Sequence, residues 1–160
     1  RLTIDESTML VDYCVRLGAN DLSKASSCEA ALAVIGNTGA GKSTIMNLLH
    51  GCKMETIKRK ELGLTGGGDI VRVASDSEPP QLFAIGHENT SKTFIPGTGV
   101  TRAFGSGEVV LIDCPGYFDD RGAEINIANA INIQRALVNC GALRLLVLIN
   151  YNSLIAERGR

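Results

Sequence analysis

The order of segments along this chain predicts the α/β class: a P-loop-type arrangement with a mostly parallel sheet and flanking helices. Three observations carry it. Short apolar runs at 30–36, 109–112 and 143–150 are too brief for helices and suit strands buried on both faces. Helix-period segments alternate with them, giving a β, α, β, α, β order. A glycine-rich turn, "GNTGAGKS", joins the first run directly to the first of those helices.

The 160 residues suffice for one domain with a real core. Hydrophobic residues make up 44% of the chain and charged ones 21%, the balance of a folded protein. Net charge is −1, which argues against a nucleic-acid-coating or polybasic membrane surface. With no Trp and 4% aromatics, aliphatic residues must build the core. The apolar run Leu145 to Ile149 is far shorter than a membrane span, and no apolar signal follows Arg1. Five scattered cysteines and two histidines offer no paired metal-ligand spacing. Reduced thiols in a cytoplasmic protein are therefore expected. The start at Arg reads as a piece of a longer chain.

Each element has its own justification. Ile4, Met9, Leu10, Tyr13, Cys14 and Leu17 recur at mostly helical spacing, with Gly18 as the expected stop. This helix and the polar stretch after it, residues 1–26, are read as a helix and linker from a preceding region, and 27–160 as a partial domain. "AALAVIG" is the first strand. "KSTIMNLLHG" is a helix with Ile45, Leu48 and Leu49 on its apolar face and Gly51 as its stop. Residues 63–69 read as a flexible loop. "DIVRVAS" and "QLFAIG" flank "DSEPP", which predicts a hairpin between them. Residues 87–100 are polar and turn-rich with no burial pattern. "TRAF" and "EVVLID", separated by Gly105-Ser106-Gly107, predict a second hairpin. Residues 123–139 read as an Ile- and Ala-rich helix packed on the sheet, 143–150 as a third buried strand, and the tail as the start of a helix.

A strand before it and a helix after it give GxxxxGK[ST] its chemical meaning, and Gly36-Asn37-Thr38-Gly39-Ala40-Gly41-Lys42-Ser43 fills every fixed position. Glycines let the backbone wrap a phosphate with its N–H groups pointing inward. The helix start adds further free N–H groups and the positive end of its dipole. Asn37, Thr38, Gly39, Ala40, Gly41, Lys42, Ser43 and Thr44 are thus the candidate nucleotide-binding residues. Lys42 would reach the β- and γ-phosphates, and the Ser43 hydroxyl would ligate Mg²⁺. The strand ending Asp113-Cys114-Pro115-Gly116 supplies DxxG. There Asp113 would hold Mg²⁺ through water and the Gly116 N–H would contact the γ-phosphate. The DxxG pattern resembles that of small GTPase-like domains, which implies a switch threonine completing the Mg²⁺ shell about twenty residues before the Asp and just before an antiparallel strand. Thr93, twenty residues before Asp113, is the choice, with Thr90 as the fallback.

On these motifs, residues 31 to about 153 resemble the N-terminal two-thirds of a translation-factor-like (TRAFAC) GTPase domain. The wording "GNTGAGKST…DCPGYFDDRG" is most similar to the septin, Era-like and immunity-associated (AIG1-type) branches. The resemblance implies GTP/GDP as ligand, Mg²⁺ as cofactor and hydrolysis as a switch. It also implies a homodimer across the nucleotide face or an activating protein as partner. Two departures stand out. Tyr117 and Phe118 follow Gly116 where many relatives carry a water-orienting Gln, so slow intrinsic hydrolysis is expected. The guanine-reading NKxD motif would follow the next strand, beyond these residues. Arg121 could approach the γ-phosphate as an arginine finger or pair with Asp119 or Asp120; His87 could orient water or stay solvated. A nucleotide-binding module that hydrolyses little, or an ATP-binding P-loop protein, are the alternatives.

Overall fold

The computed structural model describes residues 2–22, 29–86, 96–102, 105, 107–116, 122–138, 140–151 and 155. Its elements run α1 (Ile4–Leu22), β1 (Ala30–Gly36), α2 (Lys42–His50), β2 (Met54–Lys58), β3 (Asp69–Val73), β4 (Gly97–Thr101), β5 (Val109–Asp113), α3 (Ala123–Val138) and β6 (Ala142–Leu148), with a 3₁₀ turn at Arg59–Leu62. The main sheet has the order β4-β5-β1-β6. β1 runs parallel to both β5 and β6, while β4 is antiparallel to β5. The α/β expectation of a mostly parallel sheet with flanking helices therefore holds.

Period-two alternation divides the strand side chains between two helical layers. Ala31, Ala33, Val110 and Ile112 turn toward Ile133 and Ala136 of α3. Val34 and Leu111 turn the other way and pack with Met46 of α2 and Phe83. Both faces of β1 and β5 are thus covered, as their unbroken apolar runs require. β6 differs from the expected buried strand. It lies at the edge of the sheet, and Leu145 and Val147 are 52% and 56% exposed because none of the described helices covers them.

The first helix does not stop at Gly18 but continues to Leu22. Gly18 has a packing role instead: a Cβ there would fall 2.2 Å from Asn132 Nδ2. That close approach lets Asn132, buried in α3, donate to Cys14 O at 3.1 Å. Ser7 Oγ donates to Glu124 Oε1 at 2.7 Å, and Cys14 and Val15 pack on Ile125 and Ala128. α3 therefore uses one face for the sheet and another for α1, which accounts for its high apolar content.

On α2 the buried residues are Lys42, Met46 and Asn47, whereas Leu48, expected on the apolar face, is 52% exposed. Gly51 ends the helix as anticipated, its N–H bonded to Asn47 O and Leu48 O. The expected hairpin between "DIVRVAS" and "QLFAIG" does not form. β3 pairs with β2 in a separate antiparallel ribbon, Met54 opposite Val73, and 81–86 is not a strand. β4 is antiparallel to β5 as expected, but it begins at Gly97, inside the stretch that shows no burial pattern. Most of the tail expected to be helical lies outside the described residues. No described helix is long and apolar enough to cross a membrane.

Candidate functional site

The sheet register assembles the site. Val34, near the end of β1, lies opposite Asp113, the last residue of β5, and Cys114 N donates to Val34 O at 3.3 Å. The two loops that leave these strands are thereby held side by side. Gly36, where the first loop begins, packs against β6; a Cβ there would meet Leu148 O at 2.3 Å.

Gly39 and Gly41 take left-handed conformations, φ 77° and 87°, that L side chains rarely adopt. These turns fold the chain back on itself, with Ala40 N bonded to Asn37 O, and feed it straight into α2. Gly41 is the helix N-cap and provides no side-chain cap. A helix start without a side-chain cap, at the positive end of the helix dipole, is the arrangement that suits an anion. Thr44 lies half-buried in the first helical turn.

Lys42 is 7% exposed, and its Nζ donates to Gly36 O at 3.0 Å and Asn37 O at 2.8 Å. The ammonium is folded onto the carbonyls of its own loop. Ser43 Oγ donates to Asp113 Oδ2 at 2.6 Å. Asp113 is 1% exposed, so a carboxylate and a hydroxyl from separate motifs share one secluded point. Gly116 is pressed on the loop: an added Cβ would fall 2.3 Å from Thr38 Oγ1 and 2.6 Å from Thr38 N. Between Asp113 and Gly116, Cys114 is fully buried. Burial, reinforced by the Asp113 charge and opposed by Lys42, pushes its thiol up to about 12. A thiol so protonated is a packing group and no nucleophile.

The structure therefore brings together Asn37, Thr38, Gly39, Ala40, Gly41, Lys42, Ser43, Thr44, Asp113 and Gly116. Thr93, Thr90, His87, Tyr117 and Arg121 lie outside the described residues. Asn47 escapes a motif-based reading. It is fully buried; its Nδ2 donates to Ser43 O and Phe83 O, each at 2.8 Å, and its Oδ1 accepts from Leu82 N and Phe83 N. The one signal available in the sequence is a polar residue beside Met46 in the helix following the loop.

Donor chemistry at the junction of Ser43 and Asp113 fits Mg²⁺, which takes hard oxygen ligands and typically one or two carboxylates beside phosphates and water. Among the described residues no group of three or more His, Cys, Asp or Glu could hold a metal by itself.

A mostly parallel sheet with a glycine loop, a buried lysine and a serine-aspartate pair at its strand ends defines a P-loop nucleotide-binding domain. Residues 31–157 match the family model described as 50S ribosome-binding GTPase, and the chain belongs to this GTPase family. No curated protein and no solved structure matches it.

Proposed function

We propose that this domain binds GTP with Mg²⁺ and hydrolyses it slowly, acting as a molecular switch. The observation that carries the reading is the 2.6 Å bond between Ser43 Oγ and Asp113 Oδ2 beside the buried Lys42. Backbone N–H groups of 37–44 would hold the phosphates, and Lys42 would face the β- and γ-phosphates. Ser43 and Asp113 would hold Mg²⁺, which when bound supplies neutralisation of the charge developing on the phosphates. Thr93 would join that shell. Its assignment is supported by the register of β4, where Gly97 pairs with Asp113, so the chain rejoins the sheet beside the metal ligands four residues after Thr93. Gly116 would contact the γ-phosphate through its N–H.

Tyr117 in place of a water-orienting Gln supports slow turnover, below ~10⁻² s⁻¹, the range of GTPases without an arginine in place. Arg121, a second copy docked across the nucleotide face, or an activating protein would then supply the missing group. The motif wording supports a place near the septin, Era-like and AIG1-type branches. The nucleotide unit is assigned to residues 27–160, with 1–26 as helix and linker. Reduced thiols at Cys14, Cys52, Cys114 and Cys140 support a cytoplasmic setting.

Single-turnover GTP hydrolysis by the full chain at rising protein concentration tests this reading. A slow basal rate that rises per molecule with concentration is expected. A fast, concentration-independent rate unchanged by Arg121→Ala and His87→Ala would contradict it. Absence of hydrolysis with GTP binding retained would favour a nucleotide-holding module, which Tyr117 also suits.

A further inference from the structure

The hydroxyl of Thr38 stands out in the loop. It is buried, and no described residue gives it a hydrogen-bond partner. Buried hydroxyls are normally paired, because leaving one unpaired forfeits its hydration without return. The phosphate-cradling function of this loop belongs to backbone N–H groups, so it gives no reason for a hydroxyl here. Neighbouring groups show which way the side chain lies. The Lys42 ammonium is bonded to Gly36 O and Asn37 O, at the start of the loop. Thr38 Oγ1 lies instead against Gly116, where an added Cβ would fall 2.3 Å away. Gly116 is the residue through which the second motif would meet the terminal phosphate on the reading above.

We propose that the Thr38 hydroxyl donates a hydrogen bond to the γ-phosphoryl group and so makes this loop discriminate triphosphate from diphosphate. The inference rests on the nucleotide reading above and deepens it. A hydroxyl that finds its partner only when a γ-phosphate is present favours the triphosphate state alone. A hydrogen bond to a charged phosphate oxygen is stronger than one between neutral groups, so the discrimination is measurable. Its closeness to Gly116 would place that contact beside the second motif.

The test is calorimetric titration of the full chain, with Mg²⁺ constant, using GTPγS and GDP against wild type, Thr38→Ser and Thr38→Ala. Thr38→Ser keeps the hydroxyl and is expected to stay within about threefold of wild type for both nucleotides. Thr38→Ala is expected to lose about tenfold or more for GTPγS while GDP changes less than about twofold. Equal losses for the two nucleotides, or no loss for either in Thr38→Ala, would overturn the proposal and leave nucleotide binding intact. Wild type binding neither nucleotide would instead overturn the reading beneath it.

Discussion

Ser43 Oγ donates to Asp113 Oδ2 across 2.6 Å, although 70 residues of chain separate them. The sheet makes this possible by pairing Val34 with Asp113 in parallel register, which sets the end of β5 beside the loop that carries Ser43. If the pair is a metal shell in waiting, Ser43→Ala should bind GTPγS as wild type does in the presence of EDTA. It should lose the gain that Mg²⁺ confers, by about tenfold. An unchanged Mg²⁺ response would assign the pair a structural role only.

Thr93→Ala should weaken GTPγS binding more than GDP binding, because only the triphosphate state would recruit its hydroxyl. Titration of both nucleotides checks this. Equal losses would transfer the role to Thr90, and Thr90→Ala would then show the selective loss.

Asn47 joins the loop helix to the segment at 82–83 through three hydrogen bonds to Leu82 and Phe83. Asn47→Leu fills the space but leaves those buried backbone groups unpaired. Stability should fall by about 3 kcal/mol, read from the urea midpoint of the full chain. A loss below about 0.5 kcal/mol would mean that water satisfies those groups readily.

Cys114 should make the protein sensitive to alkaline pH. Its thiol rises from an ordinary value of 9.0 to about 12 in the fold, through burial first and then the Asp113 charge. Its stabilising contribution is complete below pH 9 and is lost as pH climbs toward 12, because only the unfolded chain releases that proton. The loss is at most about 1.4 kcal/mol per pH unit. Wild type should therefore lose stability between pH 8 and 10.5 more steeply than Cys114→Ala, as followed by chemical denaturation. Parallel slopes would contradict the shift.

What the sequence made legible followed from how each signal is written. β1, β5 and α3 are buried on two sides, so their apolar runs stand out, and the glycine loop and DxxG are spelled by the chemistry they serve. β4, "GTGVT", has almost no apolar signal; its hydrogen bonds to β5 make it a strand. β2 was hidden because "METIK" alternates polar and apolar residues within a charged stretch, and its omission left β3 matched with the wrong partner. Gly18 reads as a stop by local propensity, yet Asn132, distant in sequence, needs the space. Asn47 and Phe83 were illegible for the same reason: their importance lies in partners that only the fold supplies.

The most direct test of the central claim is the affinity of the full chain for Mg²⁺–GTPγS before and after Lys42→Ala, with circular dichroism to verify folding. Lys42 is the buried cation of the loop, held in this structure by Gly36 O and Asn37 O. Its removal should cost at least ~tenfold in affinity, or ~1.4 kcal/mol. A folded Lys42→Ala protein that binds the nucleotide as tightly as wild type would contradict the account.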